Sequence, residues 1–380
     1  MLVMTLMVRD EADVIGAMLE HHIRQGVDQF IITDNGSVDG TREIIESFKD
    51  QASIDLRDDL EHKKMQGPRV SAMAHDAYEQ YGATWVINAD ADEFWLAANA
   101  KDRTLKEVFS EISPTVAKFI VPVIDMIGAP AQAGSGMQRL NYRDERPDSE
   151  LQKLGLHAHS TPNSVHIGSP NPIVSQGNHF VNIEQRAPLP EELQVEALHF
   201  QWRSYEQVSR KYFNAGKAYR ESPTLRPSPN HHGMREFRRL ETGTLEESYV
   251  ARHLTPEVTV ELEARGEITR DDRIASTVPS PVADVLYSDE TLQTLFHAGR
   301  VAAIIEQELF ATRKELREAQ AEAHDLQRRL QRMASSHFTA GGDGWQAERA
   351  ELLSILEQYR GRRIVRAADS FSTMIRNRKP

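Results

Sequence analysis

The chain has 380 residues, a formal net charge of −12 and no cysteine. That length allows one large domain with an appendage, and the missing cysteines exclude disulfides, thiolate metal sites and cysteine nucleophiles. Hydrophobic residues make up 39% and charged residues 27%, which excludes a collagen-like or wholly disordered chain.

The charge is uneven. Seven basic side chains between 359 and 380 (Arg360, Arg362, Arg363, Arg366, Arg376, Arg378, Lys379) stand against one acid, Asp369, giving +6 there and −18 for the rest. An acidic body argues against nucleic acid as a partner, because phosphate neutralisation needs a basic footprint, and leaves any polyanion contact to the tail. The apolar opening run has no basic segment before it and no cleavage pattern after it, and no run of eighteen apolar residues occurs. The expected location is cytoplasmic, with the basic tail a candidate contact to the anionic inner membrane surface.

Strand and helix patterns alternate from the start. Leu2–Val8 reads as a strand, and Val14, Ile15, Met18, Leu19 and Ile23 mark the apolar face of a helix. Strands are expected at 29–33, 53–57 and 84–88, with helices at 41–48 and 70–81 between them, then a strand at 118–124. This alternation predicts an α/β domain with a mainly parallel sheet flanked by helices. Residues 128–190 are rich in Gly, Pro, Ser, Asn and His and read as long loops. A strand within 193–202 and a helix over 205–219 follow. From Ile305 a heptad-like seam through Leu309, Thr312, Leu316, Ala319, Ala323, Leu326, Leu330 and Met333 steps by four and three, which predicts a coiled coil and a homo-oligomer. The expected divisions are the α/β domain at 1–240, a poorly defined helical extension at 241–300, the coiled coil at 301–335, a glycine-containing linker at 336–347, and an amphipathic helix with the basic tail at 348–380.

In an open α/β sheet, ligands sit at the carboxyl ends of the strands. Two polar clusters fall there. Residues 31–41 run from a strand through Asp34-Asn35-Gly36 to a helix start. Residues 85–95 deliver Asp90, Asp92 and Glu93 to the end of a strand between apolar flanks. Carboxylates so close raise one another's pKa unless a cation neutralises them, and a hard divalent cation with oxygen ligands, Mn²⁺ or Mg²⁺, fits that need. The absence of His-Glu-x-x-His argues against a zinc hydrolase, and residues 9–15 lack the glycines of a dinucleotide-binding turn.

Together, Arg9-Asp10-Glu11, the Asp34–Thr41 turn and Asp90-Ala91-Asp92-Glu93-Phe94 resemble the family 2 glycosyltransferases, in the subgroup with Arg-Asn-Glu and Asp-x-Asp-Glu-Phe motifs. The resemblance covers about residues 1–215. It implies a GT-A fold with the helical, coiled-coil appendage outside it, and metal-dependent, inverting transfer of a sugar from a nucleotide-sugar donor to a glycan or lipid-linked acceptor in polysaccharide biosynthesis. It implies donor contacts from Arg9, Glu11, Asp34, Asn35, Arg69 and Asp90, with Gly67 beside Arg69. Metal ligation would fall to Asp92, Asp90 and His199, and Arg203 or Lys211 would meet the diphosphate. Asp10 stands where Asn is usual, and Asn35 where many relatives carry a second Asp. No Glu-Asp pair occurs between 153 and 199, so the base is open between Asp125, His179 and Glu184. The alternative is a catalytically degenerate carbohydrate-binding or assembly module.

Overall fold

The structure, a computed structural model, describes residues 1–59, 66–99, 102–221, 232–335 and 343–361. The chain begins with β1 (Leu2–Val8), α1 (Ile15–Arg24), β2 (Gln29–Asp34), α2 (Thr41–Ser47), β3 (Ile54–Asp58), α3 (Gln66–Glu79) and β4 (Trp85–Ala89). Next come β5 (Glu93–Ala97), α4 (Leu105–Glu111), β6 (Lys118–Val121), β7 (Val123–Ile127), β8 (Ala131–Ala133), β9 (Tyr142–Asp144), α5 (Asp148–Lys153) and β10 (Asn163–Ile167). Then follow β11 (Val195–His199), α6 (Tyr205–Glu221), α7 (His232–Thr242), α8 (Leu245–Arg252), α9 (Pro256–Arg265), β12 (Ile268–Arg270) and β13 (Val285–Leu286). Two long helices end the chain's described part, α10 (Asp289–Ser335) and α11 (Asp343–Gly361).

The main sheet has the order β3-β2-β1-β4-β10-β6. β1 to β4 run parallel, and β10 is antiparallel to both its neighbours. Strand alternation sorts the core into two layers. Met4, Leu6, Phe30, Ile32, Trp85 and Ile87 face α1 and α4, while Val3, Ile31 and Val86 pack under Val70, Met73 and Ala77 of α3. The order reverses between β1 and β4, where such sheets open a crevice at their carboxyl ends.

Pro122 divides the expected strand 118–124 in two, since proline cannot continue a ladder. β6 stays in the main sheet and β7 enters a second one, ordered β12-β9-β7-β11-β5. There β11 is antiparallel to β5 and parallel to β7, so His199 lies between Glu93 and Asp125.

Several expected boundaries shift, among them the start of the long helix, at Asp289 instead of 301. Within 128–190, read as loops, β10 occupies an interior position of the main sheet. Its polar side chains hid it: Asn163, Ser164 and His166 are buried, and each is hydrogen-bonded. Residues 241–300 are no separate extension, because the first compact unit runs Met1–Ala302 and β12 and β13 pair with β9 and β8 inside it.

The second unit starts at Ala303. In it Leu326 packs with Leu352 and Leu356, joined by Ala323, Leu330 and Ile355, so α11 covers this part of the heptad seam from within the same chain. Residues 336–342 of the expected linker and the tail beyond 361 lie outside the described residues, and 343–347 belong to α11, which starts five residues before the expected 348. Among the described residues no helix is long and apolar enough to cross a membrane.

Candidate active site

The first-motif segment is shaped by Asp10. Its φ of 54° is left-handed, a region that short polar Asp and Asn enter most readily, which is why either suits this position. Its Oδ1 accepts from the Val38 amide at 2.9 Å and its Oδ2 from Asn214 Nδ2 at 3.2 Å.

At the ends of β1, β2 and β3 the donor-binding candidates form one cluster. Arg9 Nη1 donates to Asn35 Oδ1 at 3.4 Å, and Asn35 Nδ2 to the Asp59 carbonyl at 3.0 Å. Arg69 holds the Asp59 carboxylate through two bonds, at 2.8 and 3.2 Å. Asp34 Oδ1 accepts from the Ser37 amide and hydroxyl, fixing the turn. Asp59, which sequence reasoning missed, brings a carboxylate into this cluster. Gly67 serves packing: a Cβ on it would lie 3.2 Å from the Val174 carbonyl oxygen.

Across the crevice, Asp92 is 2% exposed and cations converge on it. Lys211 Nζ lies 3.0 Å from its Oδ2, Arg203 Nη1 3.5 Å from the same oxygen, and His199 Nε2 3.4 Å from Oδ1. Against the burial, these charges hold the Asp92 carboxyl well below its ordinary range. Burial also opposes protonation of His199 and Lys211, yet the neighbouring carboxylates raise His199 to about 10 and Lys211 above its usual value.

Arg203, fully buried, ties this centre to the first motif. It binds Glu11 Oε2 at 2.6 Å and Asp13 Oδ2 at 2.7 Å. Burial pushes the Glu11 carboxyl up to about 7 despite Arg203. Asp90 Oδ1 accepts from Gln66 Nε2 and Asn178 Nδ2, each at 3.2 Å. Burial and the Asp92 charge raise its pKa. Glu93 accepts from Asn163 Nδ2 at 2.8 and 2.9 Å, and burial followed by the Asp90 charge pushes it up to about 8.

The base candidates separate. Asp125 is 1% exposed and enclosed by Ser160 Oγ at 2.6 Å, His199 Nδ1 at 3.2 Å, Arg252 Nη2 at 3.3 Å and His159 Nδ1 at 3.5 Å. Against the burial, these partners hold its carboxyl far below the usual range. His179 instead is exposed at the rim. Its Nδ1 meets Asn163 Oδ1 at 3.2 Å. Glu184 has no described contact with this cluster.

The donor set fits a divalent cation in part. Asp92 Oδ1 and His199 Nε2 face each other, and the Nδ1–H of His199 is taken by Asp125, the arrangement that presents the other nitrogen to a metal. Among the described residues no group of three acidic or histidine side chains is arranged to hold a metal ion, so substrate oxygens and water would complete the shell, as Mg²⁺ in particular tolerates.

No curated protein sequence matches this chain. Among solved structures, S. aureus TarS 1–349 aligns at 11% identity over 70% of this chain and 79% of that one, with a TM-score of 0.34. The same protein in complex with UDP-GlcNAc aligns at 11% over 68% and 77%, TM-score 0.31. HddC from Yersinia pseudotuberculosis aligns at 11% over 53% and 79%, TM-score 0.22. At such scores the likeness carries no argument, and the fold stands on its own strand order. The family whose model does match is not family 2, which the motifs resemble: residues 4–122, β1 through β6 with the Asp90–Asp92 turn, match glycosyltransferase family 92.

Proposed function

We propose that this chain is a glycosyltransferase of GT-A type, moving a sugar from a nucleotide-sugar to an acceptor hydroxyl with inversion. The observation that carries the reading is the convergence of Lys211, Arg203 and His199 on Asp92 at the carboxyl edge of a parallel sheet. The family 92 match over that sheet supports it.

The chemistry asks for what these residues offer. As the bond from the anomeric carbon to the diphosphate breaks, negative charge builds on the leaving oxygen, and fixed cations there favour the transition state. Lys211, 41% exposed, is placed to move from Asp92 to the diphosphate. A bound Mn²⁺ or Mg²⁺, held by Asp92 and His199 with Asp90 beside them, would supply Lewis-acid stabilisation of the same charge. Asp125 acts as a positioning residue, fixing the His199 ring. The cluster of Arg9, Asn35, Asp59 and Arg69 is the proposed nucleoside side.

His179 is the proposed base. Asn163 directs its amide nitrogen to Glu93, so its oxygen accepts from the His179 Nδ1–H, which leaves the Nε2 lone pair for the acceptor's hydroxyl proton.

Thermal melts of the full chain with UDP-, GDP-, CDP- and dTDP-sugars, each with Mn²⁺, Mg²⁺ or EDTA, test the donor site. One nucleotide is expected to raise the melting temperature, with loss of the shift in EDTA and in Asp92→Asn. Cooperative melting without a shift from any donor would overturn the reading. Donor binding without acceptor-dependent release of nucleoside diphosphate would favour the degenerate binding module.

A further inference from the structure

A cleft of about 1100 Å³ opens where the two sheets part at Pro122, away from the proposed reaction centre. Phe119 and Ile120 of β6 line it from the main sheet, and Arg143 of β9 and Glu196 of β11 line it from the second. β11 relates the two places. His199 ends that strand at the reaction centre, and Glu196 lies three residues earlier, roughly 10 Å away at the rise of a strand. The pairing with β5 agrees: His199 is opposite Glu93, whereas Val195, which also lines the cleft, is opposite Ala97 at the far end.

The cleft is open to solvent. Ile120 is 51% exposed, the Arg270 side chain is 62% exposed, and Pro122 and Pro188 on its wall are exposed as well. Ligand sites for drug-sized molecules span roughly 300–1,000 Å³, so this one has room for several linked rings.

Its charges cancel. Arg143, Arg270 and Arg273 stand against Glu196, Asp271 and Asp272. Arg143 grips Glu196 through two bonds, at 3.1 and 2.9 Å, and reaches Asp271 at 3.2 Å. Arg273 Nε holds Asp271 at 2.8 Å, and its Nη2 also binds Glu196. This inner network is fixed before any ligand arrives, which lowers the cost of ordering a polar wall. At the mouth, Arg270 donates through Nε to Asp272 Oδ2 at 2.8 Å, and its two Nη groups make no hydrogen bond among the described residues. A wall without net charge draws neither an anion nor a cation by its field, yet it offers donors of charge-assisted strength. Ile120, Pro122, Pro188 and Leu189 add apolar surface to the same cleft.

We infer that this cleft binds a neutral oligosaccharide, at a site separate from the reaction centre. A sugar ring carries hydroxyls around its rim and C–H groups on its faces. The hydroxyls accept from the free Arg270 Nη groups, and the ring faces lie on the exposed Ile120 and the two prolines.

The test is calorimetric titration of the full-length wild type, the double variant Ile120→Ala with Arg270→Ala, and His179→Ala. The probes are neutral hexasaccharides of glucose, mannose, galactose and N-acetylglucosamine, without donor or metal. One of them is expected to bind the wild type and His179→Ala alike, and the double variant about tenfold more weakly. Both replaced side chains of the double variant are exposed and lie outside the reaction centre, so its melting temperature and donor-induced shift are expected to match the wild type. Should it melt lower, Arg270→Ala alone is titrated in its place, with the same weakening expected. No binding by any hexasaccharide overturns the inference, and so does equal binding by the variant titrated. Binding lost in His179→Ala and kept in the double variant would put the glycan in the reaction crevice and overturn it too. Tighter binding of a sulfated hexasaccharide, weakened by salt, would overturn the neutral assignment. A donor shift without hexasaccharide binding sinks this inference alone, and hexasaccharide binding without any donor shift sinks only the donor reading.

Discussion

Glu11, Glu93 and His199 hold protons more tightly in the fold than in water, to about 7, 8 and 10. Burial raises the two carboxyls first. For His199 the charges of Asp92 and Asp125 outweigh burial. A raised pKa contributes stability that is complete below the unfolded value and lost as pH climbs through the folded one. The buried His21, His166 and His253, lowered to about 4, 4 and 3, titrate below pH 6.5 and leave the alkaline side untouched. In EDTA the protein is therefore expected to unfold at lower urea concentration at pH 9 than at pH 6.5. A higher midpoint at pH 9 would contradict the placement of these groups. His179 carries a second expectation. His179→Ala should lose about 10²- to 10⁴-fold in turnover while the donor-induced melting shift stays, as measured by nucleoside diphosphate release; unchanged turnover would remove it as the base.

Among the elements, β11 and the start of α6 organise the centre. One strand places His199 between Glu93 and Asp125, and four residues later Arg203 reaches back to Glu11 and Asp13. Replacing a buried, paired guanidinium leaves carboxylates without partners, so Arg203→Met is expected to cost about 3 kcal/mol in urea unfolding. It should also abolish the donor shift by releasing Glu11. A variant as stable as the wild type would show the pairing to be dispensable. The same elements show the limits of pattern reading. β11 stands out as a buried strand ending in His199, whereas β10, with Asn163, Ser164 and His166 inside the sheet, reads locally as loop. Only its partners in β4, β5 and the 174–181 hairpin make those polar side chains compatible with burial.

On the scale of the whole molecule, the chain divides at 302/303 into two compact units. Leu326, Leu352 and Leu356 are 9, 5 and 7% exposed, while Ile305 and Leu309 on the same seam are 52 and 48% exposed. Within the second unit, Leu352→Asp with Leu356→Asp is expected to lower the helical circular dichroism, because burying a carboxylate in that small cluster is costly. The main melting transition should stay in place. A fall in the main transition would show that the two units unfold together.

Local information was enough for much of this protein. The alternation of β1 to β4 with their helices follows from apolar periodicity, and the place of the Asp-x-Asp-Glu turn follows from the apolar strand that ends just before it. His199 was legible as a histidine at the end of an apolar strand. What local pattern does not hold is which strand ends meet. Asp125 and His199 are 74 positions apart and Glu11 and Arg203 are 192 apart, and neither pairing leaves a trace in periodicity. Asn178 sits in a Gly-Asn dipeptide that signals a turn and nothing more; its contact with Asp90 spans 88 positions. Strand register and the docking of the 174–181 hairpin on α3, through Ser71 and Gln66, decided those contacts, because hydrogen-bond partners distant in sequence are chosen by packing, not by spacing.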